Sequence, residues 1–152
     1  MGYLPIENYG LIGNMRTAAL VGMNGSIDWF CPEKFDAPSV FAAILDDQRG
    51  GFFKIAPVDG EPTRKQIYWP DTNVLVTRFL CLEGVVEITD YMPVDIDDEQ
   101  QRERWLVRLV QMARGSMPLQ LDCQPAFNYA RDSHEVHITE NGVVFRTEDS
   151  AL

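Results

Sequence analysis

The side chains best suited to chemistry lie in one segment of the chain, residues 24–47. It carries carboxylates, an ammonium group and aromatic rings at close spacing, namely Asp28, Trp29, Glu33, Lys34, Phe35 and Asp36. Such groups bind polar ligands, because carboxylates accept hydrogen bonds, lysine donates them and aromatic rings offer an apolar surface. In an ordinary alternative, Trp29, Phe30 and Phe35 belong to a hydrophobic core and the charges are solvated. The spacing alone favours that alternative.

The local sequence predicts that these residues are held rigidly. The Asn24-Gly25 dipeptide is typical of a tight hairpin turn, because both residues tolerate positive φ. Pro32 and Pro38 each fix their own φ and extend the residue before them, so the loop between them is stiff. Ser39 is a suitable cap for a short helix near residues 39–46. Ordering such a loop is costly unless something uses it.

Other candidate sites are weaker, and the sequence predicts no catalytic residue, metal site or cofactor. Ser26 is not in a Gly-x-Ser-x-Gly elbow, so a hydrolase triad is not supported. His134 and His137 would lie on opposite faces of a strand, without a cluster of further ligands. The aspartates of residues 95–98 lack the glycine and glutamate of a calcium loop, and no glycine-rich phosphate loop is present.

The composition limits the classes of partner. The chain has 152 residues, which suits one domain, and it carries 13 basic and 23 acidic residues, a net charge of −10. Nucleic acids and anionic membranes attract basic surfaces, so neither is an expected partner. No apolar run is long enough to span a membrane, and the N-terminus lacks the pattern of a signal peptide. Three widely spaced cysteines, Cys31, Cys81 and Cys123, then predict reduced thiols in a cytoplasmic protein.

Short runs of alternating polar and apolar residues recur along the chain and predict strands. In residues 85–92, Val86, Ile88 and Met92 alternate with polar residues, and Asp90 falls on the apolar side. Asn141-Gly142 predicts a second tight hairpin, between strands at residues 135–139 and 143–147. Further strands are expected at residues 9–12, 17–22, 26–30, 52–56, 66–69 and 74–82.

Residues 104–114 fit either a helix or a strand, because their apolar residues match both periods. The clean alternation of residues 119–125 favours a strand, as one arm of a long hairpin with that neighbour. Residues 95–103 are acidic and rich in amides, which predicts a solvated loop. About ten short strands separated by close turns predict an antiparallel sandwich.

The segment also resembles a known family. Together with residues 9–14 and 17–22, residues 24–47 are similar to the N-terminal domain of bacterial trehalase-like and glucoamylase-like proteins of glycoside hydrolase family 15. The shared pattern is a Leu-Ile-Gly-Asn run, an Ala-Leu-Val strand, an Asn-Gly-Ser-Ile-Asp-Trp turn and a Phe-Asp-x-Pro-Ser-Val-Phe loop. Weaker similarity recurs at residues 90–93 and 125–129. Lys34 replaces the usual arginine and Ala37 a frequent serine, and lysine lacks the forked geometry of a guanidinium.

This resemblance implies an all-β, antiparallel, super-sandwich-like domain over residues 1–152, placed before an (α/α)6 catalytic barrel that this chain does not contain. Family enzymes are inverting glycosidases, in which a carboxylic acid and a carboxylate about 6.5–9.5 Å apart act on the glycosidic bond and on water. In the family both groups are glutamates of the barrel, and no glutamate here matches their context. Residues 129–132 lack the tryptophan of the barrel's Trp-x-Arg-Asp signature.

The resemblance therefore predicts an accessory domain that packs on the barrel of the same polypeptide, with an α-glucoside such as trehalose or a maltooligosaccharide as the substrate of the whole protein. Residues at the substrate rim or at the joint between domains are expected to be Asp28, Trp29, Lys34, Phe35 and Asp36. The alternatives are an autonomous carbohydrate-binding module and a structural or oligomerisation domain, and homo-oligomers are expected because sandwich edges invite pairing.

Overall fold

A computed structural model of the chain describes residues 2–94 and 105–152. In these ranges the chain forms eleven strands, a 3₁₀-helix at Ile6–Asn8 and a four-residue helical turn at Phe127–Ala130. The strands are β1 (Tyr9–Gly13), β2 (Ala18–Gly22), β3 (Ser26–Phe30), β4 (Phe52–Pro57), β5 (Thr63–Tyr68), β6 (Leu75–Leu80), β7 (Gly84–Tyr91), β8 (Val107–Gly115), β9 (Leu119–Gln124), β10 (Glu135–Thr139) and β11 (Gly142–Arg146).

All strand pairs are antiparallel, and they form two main sheets and a separate hairpin. The first sheet has the order β1-β2-β3-β4-β9, the second has the order β5-β6-β7-β8, and β10 pairs with β11. Buried residues of both sheets pack together in two clusters, one with Ile27 and Leu75 and the other with Ile55 and Phe79. The predicted all-β, antiparallel sandwich is confirmed.

The two predicted tight hairpins are present. The Asn24-Gly25 turn joins β2 to β3, and Gly25 has a φ of +80°. A Cβ at Gly25 would lie 2.1 Å from the carbonyl oxygen of Ile55, so only glycine fits this close approach of two backbones. The second hairpin joins β10 to β11, with its two-residue tip at residues 140–141, one position earlier than expected.

The short helix predicted near residues 39–46 is wrong. Backbone hydrogen bonds tie this segment to the end of β3, from the Phe30 amide to the Phe41 carbonyl (2.8 Å) and from the Val40 amide to the Phe30 carbonyl (2.9 Å). Only after Ala42 does the chain turn, where the Leu45 amide donates to the Ala42 carbonyl at 2.9 Å. Pairing with β3 therefore uses the backbone groups that a helix would need.

Residues 107–115 form the predicted strand, but its predicted partner is wrong. β8 pairs with β7 in the second sheet, whereas β9 pairs with β4 in the first. Gly115, with a φ of +70°, lies at the corner where the chain crosses between the sheets. Alternation identifies a strand but not its neighbour, and so the pattern suggested a hairpin. The loop predicted for residues 95–103 lies outside the described residues.

The structure explains why Asp90, a charged residue, falls on the apolar side of β7. Its carboxylate is fully buried and pairs with the Arg108 guanidinium at 2.8 Å. The same guanidinium donates to the carbonyl oxygens of Phe53 (2.8 Å) and Gly25 (2.9 Å), and it stacks over the Phe53 ring at 4.9 Å. This pair, called here the cross-sheet pin, joins the second sheet to the Asn24-Gly25 turn where β3 begins.

Candidate functional site

Asp28, the first of the predicted site residues, lies inside the fold. It is 9% exposed, and its carboxylate accepts hydrogen bonds from the Tyr9 hydroxyl (2.7 Å) and the Ser26 hydroxyl. Burial, and then the hydrogen bond to Asp28, raise the pKa of the Tyr9 phenol. Tyr9 of β1 thus links that strand to Asp28 of β3, while Ser26 donates from within β3, and the carboxylate lies next to a cavity of about 30 Å³.

Lys34, Phe35 and Asp36 are exposed, together with Glu33 and Pro38, in the loop between the two prolines, called here the rim loop (residues 32–38). The amide of Ala37 donates to the Lys34 carbonyl at 3.2 Å, which closes a tight turn. The Phe35 side chain is 63% exposed at the tip of this turn. A single exposed apolar residue is ordinary, so this exposure alone does not define a site.

Trp29 directly follows Asp28 in β3, and successive residues of a strand point to opposite faces, so its ring points away from the Asp28 carboxylate. It is half-buried, and its ring lies 6.2 Å from the ring of Tyr129 at an angle of 49°. The structure therefore divides the five predicted residues among three places. Only Lys34, Phe35 and Asp36 are brought together at the surface.

The turn that carries Tyr129 has an uncommon backbone. Asn128, Tyr129 and Ala130 have φ values of 51°, 60° and 61°, and three successive non-glycine residues are thus left-handed. This conformation costs roughly 1–2 kcal/mol per residue and persists only where the surroundings impose it. Because Tyr129 and Ala130 also line a cleft, this turn is a candidate functional element.

Ser39 is the residue that imposes this conformation. Its carbonyl oxygen accepts from the Asn128 amide at 2.8 Å, and its hydroxyl accepts from the Tyr129 amide at 3.2 Å. The neighbouring Val40 carbonyl accepts from the Ala126 amide at 2.8 Å. The helix-capping role expected for Ser39 is wrong, because this residue instead fixes a turn 90 residues away in the sequence.

A cleft of about 360 Å³ opens between residues 42–50 and the turn at residues 129–131, and it is called here the junction cleft. Its lining combines small apolar residues, one aromatic ring and charged groups, from Ala42, Leu45, Asp46, Arg49, Gly50, Tyr129, Ala130 and Arg131. The Asp46 carboxylate accepts from the Gln48 amide (3.0 Å), the Arg49 amide (3.1 Å) and the Arg49 guanidinium (3.2 Å). These bonds, led by that from the Gln48 amide, lower the pKa of Asp46.

Sequence reasoning missed this cleft, although it noted residues 125–129. Two stretches separated by about eighty residues build it, and no local pattern shows that they meet.

The part of the chain that the structure describes contains no group of three or more His, Cys, Asp or Glu side chains placed to hold a metal ion. His134 instead packs edge-on between two aromatic rings, at 5.5 Å from Phe127 and 5.6 Å from Phe145. No helix within residues 2–94 and 105–152 is long and apolar enough to cross a membrane. Cys31, Cys81 and Cys123 are free thiols.

Comparisons with known proteins identify relatives over nearly the whole chain. A family model described as "Trehalase-like, N-terminal" matches residues 2–151. A trehalase of Thermoplasma volcanium is 36% identical over 155 residues, covering 99% of this chain and 24% of the relative. Trehalase 1 of Sulfolobus acidocaldarius is 37% identical over 142 residues, covering 93% and 23%. A trehalase of Mycolicibacterium smegmatis is 32% identical over 143 residues, covering 85% and 21%.

The chain thus spans less than a quarter of the length of these curated relatives. No solved structure matches it significantly.

Proposed function

This chain belongs to the trehalase-like N-terminal domain family, and from that membership we propose that it is the accessory β-sandwich of an α-glucoside hydrolase. The observation that carries the proposal is the family match over residues 2–151, together with relatives called trehalases of which the chain spans under a quarter. The remaining length of such relatives leaves room for a separate catalytic domain. Their name favours trehalose as the substrate, with maltooligosaccharides, as in glucoamylases, as the second choice.

In this proposal, the chain supplies neither the catalytic acid nor the catalytic base. The resemblance to glycoside hydrolase family 15 implies two glutamates on an (α/α)6 barrel of the same polypeptide, one protonating the leaving oxygen and one activating water. The buried carboxylates found here are already engaged, Asp28 by hydroxyl groups and Asp90 by Arg108. They are therefore assigned structural roles.

The rim loop is the part of this domain that we assign to the substrate rim. Lys34 and Asp36 present a donor and an acceptor for sugar hydroxyls, and Phe35 presents an aromatic face for a pyranose ring. Pro32 and Pro38 limit the entropy that the loop loses on binding. We assign Asp28 and Trp29 indirect roles. Asp28 holds β3 and Trp29 holds the 128–130 turn, and neither contacts the sugar.

The test uses the full-length protein and its kinetics with trehalose. Phe35→Ala is expected to raise KM about tenfold, since a lost ring contact of about 1.4 kcal/mol corresponds to a factor of ten. Leu82→Ala is the matched control, because Leu82 is 96% exposed outside the rim loop, and its kinetics are expected to be unchanged. If Phe35→Ala and Leu82→Ala had equal kinetics, the rim loop would not contact the substrate. Hydrolysis of trehalose by residues 1–152 alone would overturn the assignment of an accessory domain.

The cytoplasmic location and the homo-oligomer expected from the sequence stay predictions. The free thiols are compatible with a reducing compartment. Light scattering of the purified protein measures the oligomeric state directly.

A further inference from the structure

The junction cleft is separate from the rim loop, and its dimensions suit a small ligand. Its volume of about 360 Å³ lies within the usual range for small-molecule sites, roughly 300–1,000 Å³. Such sites are mostly apolar and contain a few polar groups that converge on the ligand. Ala42, Leu45 and Ala130 provide the apolar part, and Asp46, Arg49 and Arg131 provide the polar groups.

Two of these polar groups retain capacity for hydrogen bonds. A carboxylate has about four acceptor positions, and Asp46 uses three, two of them on Oδ1. A guanidinium has five N–H donors, and Arg49 uses its Nε–H on Asp46 while its side chain stays 81% exposed. The pair therefore presents an acceptor and several donors side by side, which is the pattern that vicinal hydroxyl groups require.

The aromatic side of the cleft is held in place before any ligand binds. The Tyr129 ring lies against Trp29, and the backbone beneath it is fixed in the left-handed conformation by Ser39. A ring held in one orientation loses little entropy on binding, and its face suits the C–H face of a pyranose. The strained turn thus fixes the position of Tyr129 in the lining of the cleft.

The charges favour a neutral ligand over an anion. Asp46 and Arg49 compensate each other at 3.2 Å, and although Arg131 adds one positive charge to the lining, the whole chain carries a net charge of −10, which repels anions. We infer that the junction cleft is a saccharide-binding subsite that holds one neutral pyranose unit against Tyr129, with Asp46 and Arg49 on its hydroxyls. The choice of a saccharide rests on the proposed function, but the site is separate from the rim loop.

The test measures hydrogen exchange in the full-length protein, by mass spectrometry, with D-glucose as the probe because it is not hydrolysed. Saturable protection is expected in peptides that cover residues 42–50 and 126–132. Mannitol is the matched control ligand, because it has similar hydroxyl groups but no ring, and it is expected to protect neither peptide.

Variants separate binding from folding. Arg49→Ala is expected to weaken glucose binding at the cleft at least fivefold, since it removes an exposed donor without touching the core. Arg64→Ala is its control, because Arg64 also pairs with a carboxylate three residues away, Glu61, but lies outside the cleft. Tyr129→Phe is expected to keep the protection, and Tyr129→Ala to abolish it.

Protection by glucose outside residues 1–152 only would overturn the subsite and leave the proposed function intact. The subsite is equally overturned if both peptides are already protected without sugar, since the cleft is then covered by protein. Absence of hydrolysis of both trehalose and maltooligosaccharides by the full-length protein would overturn the proposed function, whatever the result at the cleft.

Discussion

The region around β3 and the region around β8 both bury an aspartate, but they stabilise it in opposite ways. Asp28 is held by the hydroxyl groups of Tyr9 and Ser26, whereas Asp90 is held by the Arg108 guanidinium. A carboxylate held by two hydroxyl donors keeps one when the other is removed, but a buried ion pair that loses one partner leaves an uncompensated charge. The Asp28 network should therefore tolerate the loss of one donor better than the Asp90 pair tolerates the loss of its cation.

The largest expected effect comes from breaking the cross-sheet pin. Arg108→Ala should lower the free energy of unfolding by about 3–5 kcal/mol, because Asp90 would be left buried without its cation. Urea unfolding measures the change. Arg78→Ala is the control, since its pair with Glu87 on adjacent strands is partly exposed, and it should cost about 1 kcal/mol or less.

A similar loss in the two variants would show that the pin is not a special support. Replacing both members of the pin with apolar residues, as Asp90→Leu with Arg108→Met, should recover much of the loss.

A smaller effect is expected at Asp28. Tyr9→Phe removes one of its two hydroxyl donors and should cost about 1.5–3 kcal/mol, the usual contribution of a hydrogen bond to a charged group. Tyr3→Phe is the control, because Tyr3 is 60% exposed and its hydroxyl makes only a long bond of 3.4 Å to the Leu45 carbonyl.

Tyr9 should also make the free energy of unfolding depend on pH. Burial and Asp28 raise the pKa of Tyr9 above its ordinary value of 10.0, so the folded state holds the phenolic proton more tightly than the unfolded state. Its contribution to stability is complete below that ordinary value and is lost as the pH rises towards the folded pKa. Unfolding free energies measured across this alkaline range should fall in the native protein and fall less steeply in Tyr9→Phe. Equal slopes would contradict the assignment.

The smallest effect concerns the strained turn beside the cleft. Ala130→Gly should raise the free energy of unfolding by about 0.5–1 kcal/mol, because glycine adopts a φ of 61° without the penalty paid by alanine. Ala113→Gly in the exposed strand β8 is the opposite control and should cost about 0.5–1 kcal/mol. A loss of stability in Ala130→Gly would show that the turn stores no strain. Thermal or urea unfolding of the three proteins distinguishes these outcomes.

Much of the fold was predictable because its signals are local. The alternation in residues 85–92 depends on which face of a strand is buried, and it even placed Asp90 correctly on the buried face. The Asn24-Gly25 turn was predictable because its geometry depends on the φ tolerance of two adjacent residues. The family was recognisable for the same reason, since its pattern is concentrated in one continuous segment.

The candidate site was only partly predictable. Lys34, Phe35 and Asp36 were correctly placed together, because two prolines close to them in sequence define their loop. The separation of Asp28 from Trp29 follows from strand alternation, which had been applied to other strands but not to this one. The partner of Ser39 was beyond local reasoning, because its preference as a helix cap is real but weaker than the hydrogen bonds offered by residues 126–129.

By itself, then, the sequence determined the strands, the tight turns and the family, since each depends on neighbouring residues. Only the tertiary structure decided that β8 and β9 belong to different sheets, that Arg108 reaches Gly25 and that Ser39 shapes the backbone of Tyr129. These contacts join residues tens of positions apart, and their free energy exists only after the sheets have packed. That is why the support of the site, and the cleft beside it, are properties of the packed sandwich.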